Sequence, residues 1–231
     1  MNLLNLFQKI DDYVSYLNSN TINEKSLLLK YLDKNISLID IGSNYGSYIN
    51  FIEKHFSIKK CFMFEPSKKN FIELKKKYIG SKYIIKPYAT SNKNSKKIFY
   101  EYEITSMSSL YPDLKIYNSF NNIKKKYFVK VIKLDDFIKR KKIDLCKIDV
   151  QGEDLNTLKG MQEILSKKII KIIKIELSFE SLYGKKNSGE WIKIINLLNK
   201  YKYKLIGITK IKYKNLKIIF MDCYFTSSID C

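Results

Sequence analysis

Leu38-Ile39-Asp40-Ile41-Gly42-Ser43-Asn44-Tyr45-Gly46 is an apolar run that closes on a carboxylate, breaks into a glycine-bearing turn and restarts with helical spacing. About twenty residues on, a second apolar run, Cys61-Phe62-Met63-Phe64, ends in Glu65 and Pro66. Strand, turn, helix and strand in that order, with an acid closing the second strand, is the sequence form of a nucleotide-binding unit whose acid takes ribose hydroxyls. Gly42 and Gly46 stand G-x-x-x-G, with Asn44 where a dinucleotide fingerprint has the glycine that lets backbone approach a pyrophosphate. Asp40 points the same way, because a carboxylate repels a pyrophosphate and attracts an ammonium.

A ligand with an amino-acid end satisfies both features: its ammonium lies near Asp40, its carboxylate near the free N–H groups of the turn. S-adenosylmethionine is such a ligand, and Glu65 would accept from its ribose hydroxyls. The expected cofactor residues are Asp40, Gly42, Asn44, Tyr45, Gly46, Glu65 and Pro66, with Asp149 joining from a later strand. Tyr45 has two readings, closure over the methionine part or packing on N-terminal helices. An ordinary strand-to-helix turn also reads D-x-G-x-x-x-G; the spacing to Glu65 and the later Lys147-Ile148-Asp149-Val150-Gln151-Gly152-Glu153 favour a cofactor site.

The chain has 231 residues and a formal charge of +20. Such a charge suggests nucleic acid or an anionic membrane surface. Arg140 is the only arginine, however, and the lysines are scattered in small groups, as in Lys75 to Lys77 and Lys124 to Lys126. Phosphate recognition favours the bidentate arginine fork, so a nucleic-acid partner is set aside. Cys61, Cys146, Cys223 and Cys231 lack metal-binding spacing, which suits a reducing cytoplasm. Met1 to Ile10 has no signal-peptide form, and no apolar run is long enough to span a membrane.

Leu3 to Leu17 has helical spacing, and Thr21-Ile22-Asn23-Glu24 reads as a capping box opening a helix through Leu32. Residues 1–35 are expected to form a helical cover on a core at 36–226, the whole of 1–231 being one domain. Strands are expected at 37–41, 60–65, 82–87 and 143–149, with helices at 45–56, 67–78 and Asp154 to Leu165. This alternation argues for a parallel α/β sheet. Lys97 to Glu103 and Lys126 to Leu134 read as a small β insertion, with a short helix beginning at Leu134. Ile169 to Leu177 is ambiguous, since Lys168, Lys171 and Lys174 recur as on a helix; its isoleucines favour a buried strand. Helix 188–201 and strands 203–209 and 216–226, the latter two a hairpin, complete the chain.

With these segments in order, the chain resembles the FkbM family of S-adenosylmethionine-dependent methyltransferases from about residue 36 to 226, a domain-sized span. The most specific part is Asp144 to Glu153 with Leu158-Lys159-Gly160, against the family pattern D-L-x-K-I-D-V-E-G-x-E…L-x-G. Phe64-Glu65-Pro66, Leu134-Asp135-Asp136-Phe137 and Met221 to Phe225 accompany it. The resemblance implies a Rossmann-like class I methyltransferase fold: a mostly parallel seven-stranded sheet with an antiparallel last strand and helices on both faces. It also implies methyl transfer to a hydroxyl, usually of a sugar or polyketide. Gln151 departs from the pattern's Glu, which keeps the hydrogen-bonding shape and loses the charge.

Asp149, at the end of the fourth core strand, is the leading candidate to orient or deprotonate the methyl acceptor. Glu153 and Glu176 are further catalytic candidates, although an acid at Glu153 also suits a first helical turn. Asp149, Glu153 and Glu176 together could bind a divalent metal through oxygen. His55, the only histidine, falls in the helix after the turn and reads as surface. Ser106, Ser108 and Ser109 line the substrate side or form a polar turn. Trp191 reads as core. The leading function is a cytoplasmic O-methyltransferase acting on a small-molecule or glycan acceptor. An RNA or DNA methyltransferase and a non-catalytic cofactor-fold binding protein are the alternatives.

Overall fold

The structure, a computed structural model, describes residues 23–112, 122–139, 142–180 and 189–227. Seven strands form one sheet in the order β3-β2-β1-β7-β8-β10-β9. They are β1 (Asn35–Ile41), β2 (Ser57–Phe64), β3 (Tyr83–Lys86), β7 (Ile143–Ile148), β8 (Ile170–Ser178), β9 (Lys204–Lys214) and β10 (Lys217–Thr226). β1 pairs in parallel with β2 and β7, and β7 with β8, whereas β10 runs antiparallel to β8 and β9. This is the mostly parallel sheet with an antiparallel last strand that the resemblance implies.

Period-two alternation sorts the side chains. Ile39, Ile41, Phe62, Phe64, Cys146 and Ile148 face one core, which is covered by α4 (Leu134–Phe137), α5 (Asp154–Lys159), α6 (Gln162–Ser166) and α7 (Glu190–Lys200). Leu38, Cys61, Met63 and Leu145 face the other, beneath α1 (Glu24–Tyr31), α2 (Ser47–Glu53) and α3 (Lys68–Lys77). α1 lies so close that a Cβ on Gly207 would sit 2.5 Å from Leu27 Cδ2. The expected helix at Leu3 to Leu17 lies outside the described residues.

Several boundaries differ from expectation for physical reasons. Asn23, not Thr21, caps α1, its side chain accepting from Ser26 N–H at 2.9 Å. The expected helix from Asp154 to Leu165 is two helices, because the Asp135 carboxylate caps the second by accepting from Glu163 and Ile164 N–H (3.1 and 3.0 Å). Pro87, which has no N–H to donate, separates β3 from an unforeseen short strand, β4 (Tyr88–Thr90). There the chain leaves the large sheet for a small one ordered β4-β6-β5, formed with β5 (Ser95–Tyr102) and β6 (Ile123–Ile132). This insertion roofs the ends of β1, β2 and β7.

Candidate active site

The turn after β1 is built from left-handed backbone: φ is +78° at Gly42, +48° at Asn44 and +77° at Gly46. Asn44 therefore takes the conformation that glycine adopts most easily and that asparagine tolerates. Gly42 and Ser43 N–H both donate to the Phe64 carbonyl (3.0 and 3.2 Å). A Cβ on Gly42 would lie 2.0 Å from the Asp149 carbonyl oxygen, so only glycine lets the ends of β1 and β7 meet.

Glu65 is buried against this turn. Its Oε2 accepts from Asn44 N–H at 2.7 Å and its Oε1 from Ser67 N–H at 2.8 Å. A carboxylate carries about four lone-pair sites, so two stay open toward the crevice that Glu65 lines. Burial pushes its pKa up to about 7 against the lowering by the two N–H groups. The crevice lies between the turn, Pro66, Asp149 and apolar walls including Phe64, Tyr88, Phe99, Leu110 and Val150. A short strap (Thr105–Met107 in a single helical turn) crosses it: Thr105 Oγ1 donates to Asn44 Oδ1 (3.1 Å), and Ser109 Oγ to the Gln151 carbonyl (2.6 Å). Open lone pairs on a buried acid beside a flat apolar slot fit an adenosine moiety.

A second cavity, of ≈ 430 Å³, opens on the opposite face of the sheet and shares Gly42, Asn44, Ser106 and Asp149 with the first. On this face a row of polar groups stands in register across four strands, Asp40, Lys147, Lys174 and Tyr224, of which the two lysines line the cavity. Lys147 Nζ lies 3.4 Å from Asp40 and 3.5 Å from Asp149, and donates to the Gly42 carbonyl at 2.8 Å. Burial opposes its charge, but Asp40 and Asp149 outweigh burial and raise its pKa. Lys174 Nζ is likewise held by Glu24 (2.9 Å) and Asp222 (3.1 Å). Asp40 itself is wholly buried, and burial raises its pKa despite Lys147. It lines neither cavity and reaches the turn through Lys147.

The acids around this cavity are tuned apart. Asp149 is part-exposed; burial would raise its pKa, but Lys147 and a 2.6 Å hydrogen bond from Gln151 Nε2 bring it below the usual range. Glu176, opposite Asp222 in the β8–β10 register, is pushed well up by burial and then by Asp149, Asp154 and Asp222. Glu153 is buried and held by three donors: Ser91 Oγ (2.5 Å), Lys97 Nζ (2.6 Å) and Tyr111 OH (2.6 Å). Together these bring its pKa down in spite of burial. Glu153 thus ties the β insertion to the start of α5, on the other side of Asp149 from Glu176.

For that reason the trio Asp149, Glu153 and Glu176 is not gathered into one oxygen cage, and no acidic, histidine or cysteine cluster able to hold a metal occurs among the described residues. Tyr45 points outward, with Lys69 Nζ 6.0 Å from its ring centre, and Gly46 is the N-cap of α2 with its carbonyl accepting from Tyr78 OH. Neither lines a cavity, whereas Pro66 does. His55 packs edge-on against Phe51, away from both cavities, and Trp191 is core against Phe179. Asp154 was overlooked: the pattern's last acid aligns with it rather than with Glu153. Its carboxylate accepts from Val150 and Gly152 N–H (3.2 and 3.1 Å), holding the loop that follows β7.

Strand order, the antiparallel β10 and the acid closing β2 define a class I methyltransferase fold. The model of the Methyltransferase FkbM domain matches residues 40–205, and the chain belongs to that family of S-adenosylmethionine-dependent methyltransferases. Among solved structures, an FkbM methyltransferase from Methylobacillus flagellatus KT aligns with a TM-score of 0.53 at 14% identity, over 85% of this chain and 45% of that one. The present chain therefore spans less than half of that protein. A putative S-adenosylmethionine-dependent methyltransferase from Listeria monocytogenes aligns at 0.50 and 10% identity, over 87% and 96% of the two chains. An rRNA methylase from Streptococcus thermophilus does so at 0.50 and 10%, over 87% and 92%. At such identities the likeness is one of fold. No curated protein matches the sequence. No helix among the described residues is long and apolar enough to cross a membrane.

Proposed function

We propose that this methyltransferase acts on a hydroxyl oxygen of a sugar, a glycan or a related small polyhydroxyl compound. The observation that carries this reading is that Asp149 and Glu176 line one cavity and are displaced in opposite directions, Asp149 down by Lys147 and the Gln151 amide, Glu176 up by burial and neighbouring acids. Environments that drive two acids apart in this way assign them different roles. Two lysines of the cavity are matched, Lys147 by Asp40 and Asp149 and Lys174 by Glu24 and Asp222, while Lys210 lines it as a third. What they leave is a polar wall with Ser43, Asn44, Ser47, Ser106 and Tyr48, suited to a neutral polyol.

When bound, S-adenosylmethionine supplies a methyl on sulfonium sulfur, whose carbon–sulfur bond breaks as the acceptor oxygen bonds the carbon. Glu65 holds the ribose, the apolar crevice takes the adenine, and the turn at 42–44 holds the amino-acid end. Asp149 accepts a hydrogen bond from the methyl acceptor and orients it. Glu176 takes the hydroxyl proton and later returns it to water. The free thiols Cys61, Cys146 and Cys223 agree with a cytoplasmic location.

A methyl-transfer screen over sugar and glycan acceptors tests this reading with Glu176→Gln beside the wild type. The variant should bind S-adenosylhomocysteine normally while turnover falls by about 10²–10⁴-fold, the usual share of general base catalysis. Wild-type turnover in the variant, or methylation of RNA alone, would refute it.

A further inference from the structure

Gln151 stands where the family pattern has Glu, and its amide is committed to one carboxylate. Nε2 donates to Asp149 Oδ1 at 2.6 Å, while the other oxygen, Oδ2, faces Lys147 Nζ at 3.5 Å. The loop that presents this amide is held independently of it. Ser109 Oγ donates to the Gln151 carbonyl at 2.6 Å, and Val150 and Gly152 N–H both donate to Asp154. Gln151 has φ of +52° and Gly152 of +98°, so the chain reverses at this point and returns the side chain toward residue 149. We propose that Gln151 is a positioning residue: its amide fixes the Asp149 carboxylate in place and favours its ionised form. The proposal rests on the role given to Asp149 above.

The chemistry follows from what an amide can and cannot do. An amide nitrogen only donates, and its bond to an ionised carboxylate is stronger than its bond to a neutral carboxyl, so the pair favours the form of Asp149 that carries no proton. A glutamate on the same backbone would set two carboxylates within hydrogen-bond distance. Like charges so placed cannot both stay ionised, and one proton is then shared between them. Other charged groups act on Asp149 from every neighbouring element: Lys147 on β7, Asp40 on β1, Lys174 and Glu176 on β8, Lys210 on β9, Asp222 on β10 and Asp154 at the start of α5. None of them changes in a substitution at 151, so a change in titration reports the amide.

The test is a carbon-13 NMR titration of the full chain labelled at aspartate carboxyls, with the Asp149 resonance assigned by its loss in Asp149→Asn. In the wild type Asp149 should titrate below about pH 4, the ordinary aspartate value. In Gln151→Glu its midpoint should rise by about two units, the scale seen when carboxylates share a site. Gln151→Met, which keeps the length and removes the donor, should raise it by less. An Asp149 midpoint that is the same in all three proteins overturns the proposal. The methyl-transfer rate of Gln151→Glu should fall on the acid side of neutral, relative to the wild type at the same pH, and recover at higher pH as the shared proton leaves, whereas simple loss of structure would not recover. A shifted midpoint with an unchanged rate profile would instead overturn the function proposed for Asp149 and leave its coupling to Gln151 standing.

Discussion

Replacing Glu65 by alanine tests the donor side of the site. Two effects add. The variant leaves Asn44 and Ser67 N–H without the oxygens they bond at 2.7 and 2.8 Å, which loosens the turn before any ligand arrives. It also removes the two open lone pairs assigned to ribose. Hydrogen bonds to a charged group contribute roughly 1.5–3 kcal/mol each, so even one such bond corresponds to at least a tenfold loss at ~1.4 kcal/mol per decade. Calorimetric titration with S-adenosylhomocysteine should show that loss, with circular dichroism reporting an intact fold. A pH series sharpens the test. Because the Glu65 pKa stands at about 7 and ribose hydroxyls favour the ionised form, apparent wild-type affinity should rise by about tenfold from pH 6 to 8, following the competent fraction. Stability moves the other way. The folded state holds this proton more tightly than a free glutamate of pKa 4.5 does, so the group's contribution falls as pH rises from about 4.5 to 7. Unchanged affinity in Glu65→Ala, or a flat wild-type pH series, would refute the ribose assignment.

Two further substitutions probe how the site is held. Lys147→Met leaves Asp40 buried without its 3.4 Å partner. Breaking such a pair costs about 3–5 kcal/mol, so thermal denaturation should shift down by roughly 6–20 °C for a chain of this size, and Asp40→Asn added to it should recover much of the loss. Gly42→Ala would push a methyl to 2.0 Å from the Asp149 carbonyl at φ +78°. Beyond a backbone cost of roughly 1–2 kcal/mol, it should part β1 from β7 and abolish S-adenosylhomocysteine binding, so wild-type binding in this variant would contradict the close approach.

The donor side was legible because its residues are close in sequence and each obeys a local rule. Gly42 and Asn44 lie in one turn, Glu65 closes the next strand, and alternation through Leu38 to Ile41 marks a strand buried on both faces. Where the rules are not local the reading failed. The split between α5 and α6 depends on Asp135, 28 residues before the N–H of Glu163 that it caps. Three-residue β4 is too short to show a period and is placed by its pairing with β6. At Lys168, Lys171 and Lys174 the spacing imitates a helix face, but the strand that the isoleucines favour is the one formed, with Lys174 buried in it because Glu24, 150 residues earlier, and Asp222 neutralise it. The Glu153 carboxylate, a catalytic candidate in the sequence that also suits a first helical turn, is a tie to Ser91, Lys97 and Tyr111 that required knowing where the insertion folds.

That division has a mechanistic counterpart. The two cavities share only Gly42, Asn44, Ser106 and Asp149, and of these Asp149 alone carries a charge. The cofactor side draws its other walls from the β1–β2 turn region, β4 and the insertion. The acceptor side draws Glu24 from α1, Lys174 and Glu176 from β8, Lys210 from β9 and Asp222 from β10. Under the proposed function, substitutions among these groups should re-shape what is methylated while the residues proposed to hold ribose and adenine stay intact. Asp149 is where the two halves must agree: under the proposed function it remains ionised next to the cofactor site while a neighbouring acid, Glu176, gains and loses a proton. Opposite pKa displacements of those two groups are what such a junction requires, and Lys147 and Gln151 supply the half that belongs to Asp149.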